Sequence, residues 1–236
     1  MPGTLLCPAC AESLEFIDPT ISCPNCAAPY GALVCTECLD AQADAGRHRA
    51  PSPFPFSAAR AAVTYAGPGK ALVTAYKDAG EQRLDKTLAS LLVQAIRADL
   101  PAAKDAPPFM RRQCCDWAGW ADALVAIPSR RTAVRQRGFD HLQRIARFAS
   151  SWLELPLLPA LRHAHRTIDQ RLLGTEQRME NQQGSFALDD GADVRGKRVI
   201  LVDDVLTTGA TTSAATEALL AGGAAEVRVA VVARVW

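Results

Sequence analysis

The sequence predicts an α/β fold with a parallel-sheet core, preceded by a small cysteine-rich head. Short apolar segments, typical of strands buried on both faces, alternate with segments whose apolar residues recur at helical spacing. Six of the eight cysteines lie within the first 38 residues. With 236 residues, 49% of them hydrophobic and 22% charged, the chain can bury a real core, which excludes wholesale disorder.

Composition divides the chain into a head at residues 1–45, a linker at 46–56 and a main domain at 57–236. The linker is assigned because it is rich in proline and polar residues. A first strand is expected over Ser57–Tyr65, where the main domain begins. Apolar residues at helical spacing then indicate an amphipathic helix over Leu84–Leu100, and Pro101–Trp120 is expected to be a loop-rich insertion.

The second half of the main domain continues the alternation. Ala123–Ile127 is a short apolar run that ends at Pro128, which predicts a buried strand. Lys197–Asp204 carries a longer continuous apolar run, which favours a place in the centre of the sheet. The remaining predicted elements are helices over Leu142–Leu153 and Thr211–Leu220 and a closing strand over Glu226–Val235.

The chain lacks the features of a membrane or secreted protein. Its longest apolar runs, such as Val199–Val202 and Val229–Val232, fall far short of the ~20 residues that span a bilayer. The N-terminus has neither the basic segment nor the long apolar segment of a secretory signal. We therefore expect a cytoplasmic protein without membrane insertion.

Charge is distributed unevenly along a nearly neutral chain of net charge +1. Pro128–Arg178 contains ten arginines and only four acidic residues. A local basic field on a neutral protein favours an anion bound at one place. The alternative is a solvated, arginine-rich helix face.

Three C-x-x-C pairs in the head predict a structural zinc site. They are Cys7/Cys10, Cys23/Cys26 and Cys35/Cys38. Two such pairs supply the four thiolates of a tetrahedral zinc ion, whose binding would provide folding energy to a head with little apolar core. The short spacer favours Cys23/Cys26 with Cys35/Cys38, and Cys7/Cys10 with Cys23/Cys26 is the alternative. A thioredoxin-type redox motif fits less well, because it lies at a helix start after a strand.

The most informative stretch runs from Arg198 to Thr211. Its apolar strand ends in Asp203 and Asp204, where open α/β sheets bind ligands. The following turn, Thr207-Thr-Gly-Ala-Thr211, brings hydroxyls and backbone N–H groups to a helix N-terminus and so predicts a phosphate cradle. Adjacent acids beside a phosphate suit two neighbouring ribose hydroxyls, bound directly or through hydrated Mg²⁺.

Two other glycine motifs are set aside. Gly191-x₄-Gly196-Lys197 imitates a P-loop, but Arg198 replaces the required Ser or Thr and the motif precedes its strand. Gly67-Pro-Gly69 lacks the third glycine of a dinucleotide fingerprint and is expected to be a turn.

Val199–Thr211 resembles the phosphoribosyl pyrophosphate (PRPP) motif of type I phosphoribosyltransferases, because strand, acid pair, Thr-Thr-Gly and helix follow in order. The whole chain, with its cysteine head, resembles the ComF family of phosphoribosyltransferase-like proteins. Further matches are Tyr76-Lys77-x-x-Gly80, Ile127-Pro-Ser-Arg-Arg131, Arg137-Gly-Phe139, Gln170–Arg178 and Asn181–Phe186. The resemblance implies a type I phosphoribosyltransferase fold behind a zinc ribbon.

The chain also departs from the family pattern. Asp140-His141 replaces the usual Asn-Gln after Arg-Gly-Phe, and Ala27 replaces a common glycine after the Cys-Pro-x-Cys knuckle. The additional N-terminal cysteine pair of longer family members is missing, which argues against a second zinc ion.

The resemblance also implies roles for single residues. Asp203 and Asp204 would bind the ribose hydroxyls and help place Mg²⁺. The 5′-phosphate would be held by the turn residues Thr207, Thr208, Gly209, Ala210 and Thr211. Ser129, Arg130 and Arg131 would form the pyrophosphate loop. Thr167–Asn181 would be a hood over the site, with Arg171 and Arg178 neutralising the leaving group.

Three functions remain open on the sequence alone. The first is an enzyme that transfers phosphoribosyl from PRPP to an unidentified acceptor. The second, implied by the family, is a DNA-uptake accessory protein whose arginines bind single-stranded DNA. The third is a ribonucleotide sensor without catalysis. The histidines near the basic segment, His141, His163 and His165, are set aside because lone histidines are more often packing or surface residues.

Overall fold

A four-stranded parallel sheet forms the centre of the molecule in the computed structural model, which describes residues 6–29, 34–39, 53–98, 115–164 and 185–236. The strands are β1 (Ala59–Thr64), β2 (Ala123–Ala126), β3 (Leu161–His163), β4 (Phe186–Leu188), β5 (Arg198–Leu206) and β6 (Glu226–Arg234). The helices are α1 (Pro8–Glu12), α2 (Gly67–Lys77), α3 (Asp85–Arg97), α4 (Trp117–Trp120), α5 (Arg131–Arg137), α6 (His141–Leu153) and α7 (Ala210–Ala221), with a 3₁₀ turn at Gln82–Leu84.

The strand order in the main sheet is β1-β6-β5-β2, with every pair parallel. β5 lies inside the sheet, and its residues 199–202 are fully buried, which confirms the central position predicted from its apolar run. The strand continues to Leu206, two residues past the predicted end, because Val205 and Leu206 still pair with β6. The parallel-sheet α/β core is therefore confirmed.

The larger helices pack on this sheet and form one core with it. α3 contacts β1 and β6 and also packs against α6, through buried residues such as Leu88, Leu92 and Ile96. α7 contacts β5 and β6. Both helices predicted beside β2 and β5 are present, with bounds that differ by one residue from those expected.

One helix was missed. The prediction that Gly67-Pro-Gly69 is a turn is wrong, because these residues are the first turn of α2. Proline fits the first turn of a helix, where its missing N–H is not needed. The following residues Leu72, Val73 and Tyr76 are buried at helical spacing, so tertiary packing completes the helix.

A second, two-stranded sheet pairs β3 with β4 in antiparallel register, with His163 opposite Phe186. It flanks the segment predicted as a hood, which lies outside the described residues. Most of the predicted insertion at Pro101–Trp120 also lies outside them, although α4 and its buried Trp117 belong to it.

The cysteine-rich head lies against the β1 edge of the main sheet. Ile17 N donates to Ala62 O and Thr64 N donates to Glu15 O, both at 2.9 Å, around an antiparallel bridge between Phe16 and Val63. Head residues such as Leu14 and Ile17 belong to the same buried cluster as the main domain. The head therefore extends the sheet instead of standing apart from it.

None of the helices in the described ranges is long and apolar enough to cross a bilayer.

Candidate functional site

The carboxyl ends of β2 and β5 open into a cleft of about 360 Å³. Adjacent parallel strands bring their carboxyl ends to one edge of a sheet, which is where α/β folds bind ligands. The polar residues that line the cleft are Lys77, Ser129, Arg130, Arg137, His141, Asp203, Asp204, Thr207 and Thr211. Acids, threonines and cations from four different parts of the sequence thus meet in one place.

The two acids at the end of β5 have different surroundings. Asp204 is 5% exposed, and its Oδ2 lies 2.7 Å from Lys77 Nζ and 2.9 Å from His141 Nε2. Burial alone would raise the pKa of Asp204, but these two partners outweigh it and hold the pKa well below its usual range. With Lys77 and His141 beside it, Asp204 is therefore a charged carboxylate near neutral pH.

Asp203 lacks such partners among the described residues, apart from the Asp204 N–H, which donates to its Oδ1 at 2.9 Å. Burial and the neighbouring Asp204 charge raise the pKa of Asp203 to about 8. The pair is therefore asymmetric, with one acid charged and the other holding a proton near neutral pH. A cation bound at Asp203 would displace that proton.

His141 lies at the centre of a hydrogen-bond network. Arg137 Nη1 donates to its Nδ1 at 2.7 Å, which leaves the ring hydrogen on Nε2 to be donated to Asp204. Both ring nitrogens are thus engaged. Beside it, Asp140 Oδ1 accepts from Ser129 Oγ at 2.9 Å and caps α6 through Gln143 N.

The sequence predicts no role for His141, yet its Nε2 lies 2.9 Å from Asp204 Oδ2. Lys77 and Arg137 belong to segments that match the family, but the sequence predicts no role for either of them. One sequence feature could have pointed to His141. Asp140-His141 replaces the usual family residues directly after the matching segment Arg137-Gly-Phe139. All three residues now belong to the candidate site.

The turn between β5 and α7 has the features of a phosphate cradle. Gly209 adopts φ +80° and precedes the first residue of α7, a left-handed conformation that favours glycine. Thr208 Oγ1 accepts from Ala210 N at 3.4 Å, while Thr207 and Thr211 line the cleft. The first N–H groups of a helix have no partner within that helix, so they are available to an anion.

The predicted basic residues are only partly brought to the cleft. Ser129 and Arg130 line it, whereas Arg131 is an exposed residue of α5 and does not line it. Arg171 and Arg178 lie outside the described residues. Lys77 and Arg137, which lie within the cleft, supply cations that the sequence prediction had not assigned.

Of the six predicted metal ligands, the structure brings four together. The thiols of Cys23, Cys26, Cys35 and Cys38 are buried and lie within 4.8 Å of one another. Cys7 and Cys10 are exposed, and in this part of the head Cys7 instead caps α1 by accepting from Cys10 N.

The geometry of the four thiols fits a zinc ion. Two sulfur pairs, Cys23/Cys38 and Cys26/Cys35, are separated by 3.9 and 3.6 Å. A tetrahedron with zinc–sulfur bonds of ~2.3 Å has sulfur–sulfur edges of about 3.8 Å. Hydrogen bonds from Cys26 and Cys38 lower the pKa of Cys23, and the same hydrogen bonds, together with burial, raise the pKa of Cys26 and Cys38. Four buried sulfur atoms at these separations suit a structural metal.

Comparison with known proteins agrees with this architecture. A model described as a phosphoribosyl transferase domain matches residues 142–235. The chain is 25% identical over 228 residues to the DNA utilization protein YhgH of Escherichia coli K12, covering 95% of this chain and 88% of that protein. It is 28% identical over 167 residues to competence protein F of Haemophilus influenzae, covering 70% and 67% of the two chains.

Among solved structures, glutamine PRPP amidotransferase from B. subtilis matches 61% of this chain and 25% of its own, with 21% identity and a TM-score of 0.37. The fold class follows from the parallel strand order and from the match to the phosphoribosyl transferase domain. The YhgH relatives match almost the whole chain, head included. The chain is thus similar to the YhgH proteins and to competence protein F along most of its length, and its residues 142–235 match the phosphoribosyl transferase domain.

Proposed function

We propose that the protein binds PRPP together with Mg²⁺ in the cleft and transfers its phosphoribosyl group to an acceptor. One observation carries the proposal. Asp203, Asp204 and the two end residues of the turn, Thr207 and Thr211, share a single cleft with Lys77 and Arg130. The cleft thus offers the acids that ribose hydroxyls need and the donors that phosphates need.

The two ends of PRPP would bind at different places in the cleft. The turn and the start of α7 would take the 5′-phosphate, while Ser129 and Arg130 would face the pyrophosphate. Lys77 reaches the cleft while bonded to Asp204, so its ammonium can meet the ligand without a conformational change. Asp203 would accept a hydrogen bond from a ribose hydroxyl and would offer a carboxylate oxygen to the cation.

The reaction breaks the bond between C1′ and the pyrophosphate oxygen while a nitrogen nucleophile bonds C1′ from the opposite face. The electron pair leaves with pyrophosphate, and the sugar passes through a cationic transition state. Mg²⁺ would supply charge neutralisation of the leaving group. The cations Lys77, Arg130 and Arg137 would add preorganised electrostatic stabilisation.

His141 acts in this scheme through Asp204. Since both ring nitrogens are hydrogen-bonded, it orients the carboxylate and does not serve as a free base. The proton that the nitrogen nucleophile loses would pass to an oxygen of the departing pyrophosphate, so the step balances without a free base in the cleft.

A second function, binding of single-stranded DNA, is favoured by the names of the relatives and by one surface. Arg130, Arg131 and Arg135 are all exposed on or next to α5, beside the cleft. Phe139, the aromatic residue closest to them in sequence, is 9% exposed, so this surface offers charge more than base stacking. Such binding would depend strongly on salt.

Calorimetric titration of the protein with PRPP and Mg²⁺, and separately with a single-stranded oligonucleotide across a salt series, tests both functions. Absence of PRPP binding at millimolar concentration would contradict the first. The double variant Arg130→Ala/Arg131→Ala then separates the two. Loss of PRPP affinity alone assigns the arginines to pyrophosphate, whereas equal losses mean that one basic surface serves both ligands.

A further inference from the structure

We propose that Arg234 and Phe54 are positioning residues that tie the cysteine cluster to the Thr207–Thr211 turn, so that metal binding in the head and PRPP binding in the cleft strengthen each other. The inference deepens the proposed function and rests on it for the PRPP half. Its observations come from contacts between the head and the end of β5. Neither residue belongs to the cleft itself.

Arg234 connects the two regions through one guanidinium. It is the last residue of β6 and is 6% exposed. Its Nε donates to the carbonyl of Cys26 at 2.7 Å, and its Nη1 donates to the carbonyls of Thr207 at 2.8 Å, Leu206 at 3.3 Å and Val235. Cys26, which supplies a thiol to the cluster, and Thr207, the first residue of the turn, therefore accept hydrogen bonds from the same guanidinium.

Arg234 depends on backbone carbonyls for its hydrogen bonds. Among the described residues no carboxylate lies within ion-pair distance of it, so its hydrogen bonds go to backbone carbonyls. A buried charged donor that loses an acceptor pays the desolvation cost of that group. If the Cys26 knuckle moves, Arg234 has to move as well, and Thr207 with it.

Phe54 forms a second, apolar link. Its ring packs against the cysteine cluster and against the main core, and it stacks on the buried Phe56 with ring centroids 4.7 Å apart. A Cβ added at Gly209 would lie 2.7 Å from Phe54 Cε1. The ring thus rests directly on the backbone of the turn.

Metal binding should reach the turn through these two contacts. A cysteine cluster of this type folds its own segment when a metal is bound, because the four sulfur ligands converge on one ion and the binding free energy is folding free energy. A metal-loaded head presents the Cys26 carbonyl and the Phe54 packing surface in fixed positions. Because linkage is reciprocal, PRPP bound at the turn must stabilise the metal to the same extent.

The equilibrium zinc affinity of the full-length protein, measured by competition with a chelating dye, tests this reciprocity. We expect saturating Mg²⁺ and PRPP to raise the zinc affinity about fivefold or more. Arg234→Met should remove this gain. Arg228→Met is the matched control, because Arg228 lies on the same strand and is 4% exposed, but bonds to Glu226 and Cys115 instead. Unchanged zinc affinity in a wild-type protein that does bind PRPP would overturn the inference.

Amide hydrogen exchange of the wild-type protein tests the link without PRPP. Removing zinc should speed exchange of the Val235 and Ser213 N–H groups, which donate to Leu206 O and Gly209 O at the turn, while β2 keeps its protection. If wild-type protein binds no PRPP, the proposed function is overturned. Hydrogen exchange still tests whether zinc binding affects the turn. The same measurement still tests the link if Arg234→Met fails to fold. In that case Phe54→Leu serves as the second variant. Equal exchange at the turn with and without zinc would overturn the link.

Discussion

The cysteine cluster and the cleft represent two ways of building a site. The cluster draws its four ligands from a short segment, Cys23–Cys38, and its spacing alone indicates a metal. The cleft takes residues from α2, the β2–α6 region and the end of β5, which only the folded sheet brings together. We therefore expect the fold of the cluster to depend on its metal, and ligand binding in the cleft to depend on individual charged side chains.

The largest expected effect lies in the cluster. Cys35→Ser should lose the bound zinc and unfold the head, because structural zinc sites contribute ~10–16 kcal/mol of apparent binding free energy that is also folding energy. Metal analysis and the thermal transition of the purified protein measure this. Cys10→Ser is the matched control, since Cys10 is exposed and lies apart from the cluster. Zinc lost from the Cys10 variant and kept in the Cys35 variant would move the site to the first two cysteine pairs.

In the cleft, Asp204→Asn should have the largest effect. It keeps size but removes the charge that Lys77 and His141 hold in place. We expect Mg²⁺-dependent PRPP binding to weaken by roughly a hundredfold or more, and the free energy of unfolding to fall by about 1–3 kcal/mol, because hydrogen bonds to a charged group are lost.

Calorimetry and chemical denaturation separate these two effects of the Asp204 change. Asp122→Asn is its control, because Asp122 forms an exposed ion pair with Arg198 at the opposite end of β5. That variant should leave both measurements nearly unchanged. An Asp204 variant that keeps wild-type PRPP affinity would exclude this carboxylate from the site.

A smaller effect is expected from the turn. Thr208→Val should weaken PRPP binding by roughly ten- to a hundredfold, which corresponds to 1.5–3 kcal/mol for a lost hydrogen bond to a charged group. Thr212→Val is the comparison, since Thr212 is buried and donates to Gly209 O at 2.9 Å. The Thr212 variant should lower stability while the Thr208 variant lowers affinity. Equal affinity losses would mean that the hydroxyls act only through the shape of the turn.

The smallest effect concerns pH. Asp203 keeps its proton up to a pKa of about 8 in the folded protein, above its unfolded value. The folded state therefore binds more protons than the unfolded state between these two values, so stability should fall as pH rises through this window. Mg²⁺-PRPP affinity should rise over the same window and level off above pH 8. Calorimetry in buffers of different ionisation enthalpy should detect a released proton, and Asp203→Asn should abolish it.

Local patterns predicted most of the fold and one half of the cleft. The apolar run of β5, the acid pair and the turn are contiguous in sequence, so spacing was sufficient. Lys77 and His141 could not be found this way, because their distance from Asp204 depends on how α2 and α6 pack on the sheet. The glycines at the start of α2 wrongly predicted a turn, because burial of Tyr76 and its neighbours outweighs the local turn propensity.

The antiparallel bridge between the head and β1 also has a consequence for self-association. While the head is in place, the N–H of Thr64 and the carbonyl of Ala62 are bonded within the molecule. Were the head to detach, this edge of the sheet would present open donors and acceptors, which are a template for pairing with another chain. Depletion of metal from this protein should therefore appear first as aggregation, before any loss of the sheet itself.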